Sequence, residues 1–237
     1  MKANLLSQKV TQISNNPPCS TFKAAIAVVG FATGKLTGAQ TPEWPYREDY
    51  NASRDVVKQS HNPTLWMTNS CVWYTQRLVE EIGIEELKKG LSSFGYSTNG
   101  DFTAYTKGNN GLSSSFWISS SLKISPLEQL SFIEKLSTLT LRAPEKAQQL
   151  AQEILYLEEI SPGWKFYGKT GAGSLNDMKY GWFVGWVTDG HTIMTAVRYL
   201  EASGPDYPSP EAKKQVREKF SELINGSSVS LAPENTK

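Results

Sequence analysis

The chain changes hydrophobic period near Pro162, helical before it and alternating after it. In the helical part the longest apolar run is Ala24-Ala25-Ile26-Ala27-Val28-Val29-Gly30-Phe31-Ala32. It is apolar on every face, so it predicts a helix buried all round, starting near Cys19 after Pro17-Pro18 and released at Gly34. Helical spacing returns over Ser70 to Val79 with a stop at Gly83, and again across Ile84, Leu87 and Leu91. Ser125-Pro126-Leu127-Glu128 reads as a capping box with proline at the first helical position, launching a helix through Leu141, and Pro144 starts another to about Glu158. Residues 33–65 and 95–115 are rich in turn-forming residues and carry scattered aromatics (Trp44, Tyr46, Tyr50; Tyr96, Phe102, Tyr105), which predicts long loops packed by their own rings. Residues 4–13 read as a short edge strand.

Past Pro162, Trp164, Phe166, Gly168 and Thr170 share one face of a strand, and Lys165, Tyr167 and Lys169 share the other. A second strand, Gly181 to Val187, turns through Asp189-Gly190 into a third, His191 to Leu200. A last amphipathic helix from about Pro210 sets Ala212, Val216, Phe220 and Leu223 on one seam and stops at Gly226, with residues 227–237 expected to be disordered. The layout is α+β: three antiparallel strands flanked by helices, with a helical subdomain inserted before them. One domain covers residues 1–226, its helical part about 20–160 and its sheet and final helix about 161–226.

Composition narrows the function more than the fold. A net charge of +1 over 237 residues, with no basic stripe, argues against nucleic acid as a partner. The longest apolar run is about half of what a bilayer requires, so no membrane span is expected, and Met1 to Ser7 show no apolar core of an export signal. Cys19 and Cys71 make neither a disulfide framework nor a metal set, and His61 and His191 lack ligand spacing; no metal is expected.

Candidate chemistry enters with Ser20 and Lys23. Their i, i+3 spacing puts both on one face of the first turn of the buried helix. A lysine there either reaches solvent or is desolvated, and desolvation depresses its pKa until it can act as a base toward a neighbouring hydroxyl. The alternative is a serine cap with a snorkelling lysine. A second motif, Gly163-Trp-Lys-Phe-Tyr-Gly168-Lys169-Thr170, matches the phosphate-loop expression and keeps open a nucleotide-binding protein as an alternative of a different class. Its context is wrong: bulky residues fill the loop, and Gly171-Ala172-Gly173 follows where a helix should open.

In chain order, Ser20-x-x-Lys23, Ser70-Cys71-Val72, Trp117 and Lys169-Thr170-Gly171 resemble the motif set of the penicillin-recognising serine enzymes. With Pro18-Cys19-Ser20-Thr21-Phe22-Lys23, Phe116-Trp117-Ile118, Ile124 to Leu130 and Gly181 to Val187, the chain resembles the class D β-lactamases, or oxacillinases, from about Pro17 to about Ile224. The resemblance implies a β-lactamase/transpeptidase-like fold and a small-molecule β-lactam substrate. It implies Ser20 as the acyl-accepting nucleophile, Lys23 as a base carbamylated by carbon dioxide with no other cofactor, and Trp117 as the indole donor to that carbamate. Ser70 would relay a proton to the leaving nitrogen, Lys169 would hold that relay and the substrate carboxylate, and Thr170 would hydrogen-bond the same carboxylate. The backbone N–H groups of Ser20 and Ala172, the latter just past Gly171, would form the oxyanion hole, and Val72 and Ile118 would line the pocket of the deacylating water.

Departures from the family pattern are equally specific. Tyr96-Ser97-Thr98 stands where the family has Tyr-Gly-Asn, and Lys213 or Lys214 stands nearest the family's carboxylate-binding arginine, without its bidentate fork. Nineteen residues precede Ser20, where family members carry several dozen, so the sheet is expected to be a strand or two short. The resemblance also implies a periplasmic location. The alternatives within the family are an acylated but non-hydrolysing penicillin sensor and an inactive truncated homologue.

Overall fold

The computed structural model describes residues 15–97, 99–175 and 177–229, so the edge strand read at 4–13 and the tail beyond Val229 lie outside the described residues. The chain enters through one 3₁₀ turn, Cys19–Thr21, which leads directly into helix α1, Phe22–Ala32. Every residue of α1 from Phe22 to Phe31 is buried, including Lys23, as an all-apolar helix demands. Helices α3 (Val72–Ile82), α4 (Ile84–Phe94) and α6 (Glu145–Leu155) pack around it. Each large apolar side chain sealed in this way contributes about 1.5–3 kcal/mol.

Residues 33–62 form the long irregular connection expected, and rings hold it in place. Trp44 packs on Tyr74 with centroids 4.4 Å apart, Tyr50 lies 5.3 Å from Trp73, and the Trp73 indole donates to the carbonyl of Val57 at 2.7 Å. The end of the expected loop is a helix instead. α2, Pro63–Thr68, has Pro63 in its first turn and Asn62 as its cap, the Asn62 side chain accepting from Leu65 N at 2.9 Å. Six residues are too few to show a helical period, although the Asn-Pro start signal was present.

Helix α5 runs from Pro126 to Ser137 and carries the reciprocal capping box of Ser125 and Glu128. It stops before Leu141 because Leu139 turns left-handed, at φ +58°. The α6 helix likewise stops at Leu155, not near Glu158. Tyr156–Ser161 forms strand β1, so among the described residues the sheet has four strands where three were expected, and it opens before residue 161. Pairing overrides helix propensity there, because Tyr156 lies opposite Tyr167 with ring centroids 5.5 Å apart.

The sheet order is β1-β2-β3-β4, antiparallel throughout, with β2 at Trp164–Leu175, β3 at Met178–Thr188 and β4 at Ile193–Ser203. The β2–β3 ladder runs unbroken from Lys165 opposite Thr188 to Leu175 opposite Met178. That ladder disposes of the phosphate-loop reading, since Lys165 to Thr170 are paired strand backbone rather than a loop opening a helix. Helix α7, Ser209–Val229, covers the sheet through Ala212, Val216, Phe220 and Ile224, which pack with Phe166, Phe183 and Val187. Ile224 completes the seam in place of the half-buried Leu223, and the helix continues past Gly226.

Candidate active site

The chain bends sharply at Cys19, whose φ of +49° is left-handed, and the bend is pinned at both ends. Cys19 N donates to the carbonyl of Trp117 at 2.9 Å, and Thr21 Oγ1 donates to Pro18 O at 2.7 Å. Buried Gln129 of α5 in turn donates to Thr21 Oγ1 at 2.7 Å. This anchoring leaves Ser20 half-buried, reachable from solvent, one turn ahead of a fully buried lysine. Lys23 Nζ donates to Ser20 Oγ at 3.2 Å, so the neutral amine's lone pair has the same reach to the hydroxyl proton. Burial drives the Lys23 pKa down to about 7, helped by the charges of Lys169 and Arg54 and opposed by the thiols of Cys71 and Cys19.

Strand β2 presses directly onto this turn. A methyl group on Gly171 would stand 2.7 Å from Pro18 O and 3.2 Å from Thr21 N, and one on Gly173 would stand 2.7 Å from Cys19 Sγ. Only glycine lets the strand backbone come so close, which brings Ala172 beside the Ser20 turn. We expect Gly171→Ala to lose about 1–3 kcal/mol in urea unfolding and to slow acylation at Ser20, because the strand must retreat. Wild-type stability together with a wild-type acylation rate would contradict this reading of the contact.

Lys169 is buried rather than an exposed strand lysine, and its Nζ donates to the carbonyl of Thr170 at 3.3 Å. Burial lowers its pKa to about 8, with help from Arg54 and Lys213. Lys213 of α7 is half-buried on the side whose charge Lys169 feels, whereas Lys214 is exposed, so Lys213 is the one of the pair that faces the site. Cys71, not Ser70, stands at the N-cap position of α3, without a side-chain cap bond, and Ser70 sits before it in a left-handed turn at φ +51°. The structure brings Ser70, Cys71 and Val72 to the same place as Lys23, whose charge Cys71 feels, but the Ser70 hydroxyl bonds to neither lysine.

Trp117 is fully buried, stacks on Phe22 at 5.5 Å, and its indole Nε1 has no hydrogen-bond partner. Ile118, beside it, is half-buried and packs with Cys19, Tyr180 and Trp182. In the Tyr-Ser segment, Tyr96 is buried against Phe22 and Phe132, and Ser97 is left-handed with its hydroxyl donating to Lys123 O; Thr98 lies outside the described residues.

Sequence reasoning missed two residues. Gln129 is a polar residue on the buried face of α5, a mismatch the helical pattern could have exposed. Arg54 has no motif at all, yet it reaches the carbonyls of Asn69 and Ser70. Arg54, Lys169 and Lys213 form no ion pair among the described residues, so the site carries a cluster of cations suited to an anionic ligand. A separate concavity of about 630 Å³, between Lys88 of α4 and the 95–103 segment, does not include Ser20.

The penicillin binding protein transpeptidase domain family matches residues 6–224. β-Lactamase OXA-9 of Klebsiella pneumoniae is 35% identical over 201 residues, which cover 81% of this chain and 73% of that protein. The crystal structure of the class D β-lactamase OXA-427 superposes with a TM-score of 0.81 at 32% identity, covering 90% of each chain. The chain belongs to the class D β-lactamase family. The regulatory protein BlaR1 of Bacillus licheniformis is also similar, at 30% identity over 76% of this chain and 28% of its own length. In this class D chain the three motif segments named from sequence, at Ser20, Ser70 and Lys169, converge on Lys23 from a helix start, a left-handed turn and a strand. No helix among the described residues is long and apolar enough to cross a membrane.

Proposed function

We propose that the chain is a serine β-lactamase that opens β-lactam antibiotics through an acyl-enzyme on Ser20. The observation that carries this is the 3.2 Å contact between Ser20 Oγ and a buried Lys23 that is half-neutral near pH 7. A carboxylate-bearing β-lactam is drawn in by Lys169, Lys213 and Arg54, and Thr170 is the hydroxyl available to that carboxylate. Ser20 Oγ attacks the lactam carbonyl carbon while its proton leaves toward Lys23. Negative charge develops on the carbonyl oxygen, where the backbone N–H groups of Ser20 and Ala172 would hold it, a contribution on the order of 10²–10³ in rate. The C–N bond then breaks, and Ser70 delivers a proton to the nitrogen while taking back the one that Lys23 received from Ser20. Water cleaves the resulting ester, returning Ser20 to its hydroxyl form.

The residues around Lys23 also fit a carbamate formed with carbon dioxide: the amine is available in its neutral form and the buried Trp117 indole lacks an acceptor. Such a carbamate, held by Lys23 and Trp117, would supply a general base. Val72 and Ile118 are the half-buried apolar residues that would screen the water of the second step.

The similarity to BlaR1 supports a second reading, in which Ser20 is acylated and stays so. Nitrocefin hydrolysis followed alongside the intact mass of the protein separates the two. We expect many turnovers per protein molecule and a transient adduct. A persistent adduct with one turnover would favour the sensor, and no adduct with no turnover would overturn both.

A further inference from the structure

Ser70 occupies a costly backbone conformation. A left-handed residue with a side chain costs about 1–2 kcal/mol, so the surrounding contacts must hold it. Its own N–H reaches Met67 O only at 3.3 Å. The firm contacts come from the neighbouring loop. Arg54 Nη2 donates to Asn69 O at 2.6 Å and lies 3.3 Å from Ser70 O, while the Asn69 side-chain amide meets His61 Nε2 at 3.2 Å. His61 is buried, with Nδ1 2.9 Å from Gln59 O.

Arg54 is itself well placed for this task. Its backbone is extended, it starts the 3₁₀ turn Asp55–Val57, and its carbonyl accepts from Val57 N at 3.1 Å. Val57 is buried and takes the Trp73 indole on its carbonyl, so the root of the arginine is fastened to α3. The adjacent Asp55 is paired with Lys58 at 2.9 Å, and no ion pair among the described residues neutralises Arg54.

Resting on the acyl-enzyme reading above, we infer that Arg54 is a positioning residue for the reaction, clamping the left-handed Ser70 turn through two carbonyls and lending the site an unpaired positive charge. The charge has a calculable direction. The groups acting on Lys23 are Lys169, Arg54, Cys71 and Cys19, and those acting on Lys169 are Arg54 and Lys213. Arg54 is the one cation that opposes protonation of both lysines from a loop outside the motif segments. Removing it lets Lys23 keep its proton to higher pH.

Three variants separate the two roles: Arg54→Lys keeps the charge, Arg54→Gln keeps N–H donors without charge, and Arg54→Ala keeps neither. The rate of Ser20 acylation by a fluorescent penicillin is measured against pH. We expect Arg54→Lys to leave the acid limb unmoved but to lower the plateau, by less than the Ala variant does, since an ammonium lacks the guanidinium's reach to both carbonyls. Arg54→Gln should shift that limb to higher pH, and Arg54→Ala should shift it and also lower the plateau about tenfold, partly restored by added guanidinium. In parallel, ¹³C-lysine NMR follows the Lys23 titration with no substrate present. Its midpoint should rise in the Gln and Ala variants but not in the Lys variant. An unmoved Lys23 midpoint together with a parental plateau in Arg54→Ala overturns the inference. A parent protein that takes no penicillin label overturns the functional reading instead, and the NMR titration still decides the role of Arg54.

Discussion

Ser20→Ala protein will fold as the parent does and take up no covalent label from a fluorescent penicillin, with nitrocefin turnover lower by on the order of 10⁴–10⁶-fold. The fold survives because Ser20 is half-buried and its hydroxyl receives one side-chain bond, from Lys23, worth about 0.5–1.5 kcal/mol. The turn itself is held by Cys19 N on Trp117 O and by Thr21 on Pro18 O, neither of which involves the hydroxyl. Activity does not survive, because the hydroxyl is the only nucleophile within 3.2 Å of the buried amine among the described contacts. Labelling that persists in Ser20→Ala, at matched circular dichroism, would place the acyl group on another residue and sink the mechanism.

The second large effect lies at Lys23. Lys23→Met should slow acylation by about 10²–10⁴-fold, the range for loss of a positioned general base, while Ser20 remains exposed to reagent. In the parent, kcat/KM should fall about tenfold per pH unit below about 7. Protonated Lys23 can neither take the Ser20 proton nor react with carbon dioxide. On the alkaline side Lys169 loses its charge above about 8, so attraction of an anionic substrate fades there. The profile is therefore a narrow bell in the free protein. Stripping dissolved carbon dioxide should lower turnover and bicarbonate should restore it. A flat profile between pH 5 and 7, or indifference to bicarbonate at rapid turnover, would contradict the base and the carbamate respectively.

What could be read in the sequence follows physical range. Ser20 and Lys23 were legible because helical geometry alone fixes residues three apart. The Ser125–Glu128 box was legible because its partners are also local. The Asp189-Gly190 turn was too, where Asp189 Oδ1 accepts from His191 N at 2.9 Å. The bounds that failed were decided by long-range partners. Tyr156 to Ser161 carries helix-forming Leu and Glu, and β2 draws it into the sheet. The end of α5 is the local exception: it turned on the left-handed Leu139, a residue with no preference for that conformation, held by its N–H on Leu136 O at 3.2 Å. Ser70 was read inside a helix that starts two residues later, because its left-handed turn is held by Arg54 from 16 residues away in sequence. The closeness of Gly171 to Pro18 was likewise invisible, since it joins segments separated by most of the chain.

Two lysines sealed inside the protein make its centre a store of unspent destabilisation. Between pH 10.5 and about 7 the unfolded chain carries a proton on Lys23 that the folded chain sheds, so the unfolded state binds more protons and stability declines as pH falls through that window. Below about 7 both states are protonated there and the decline ends. Lys169 repeats the pattern down to about 8. At one pKa unit per 1.36 kcal/mol, Lys23 alone withholds a few kcal/mol from the fold at neutral pH, a large share of what a domain of this size has to spare. Selection for endurance alone would put an apolar side chain at position 23. The all-apolar flank of α1 and the aromatic layer over it are the excess cohesion that lets a working base stay where folding would rather have none.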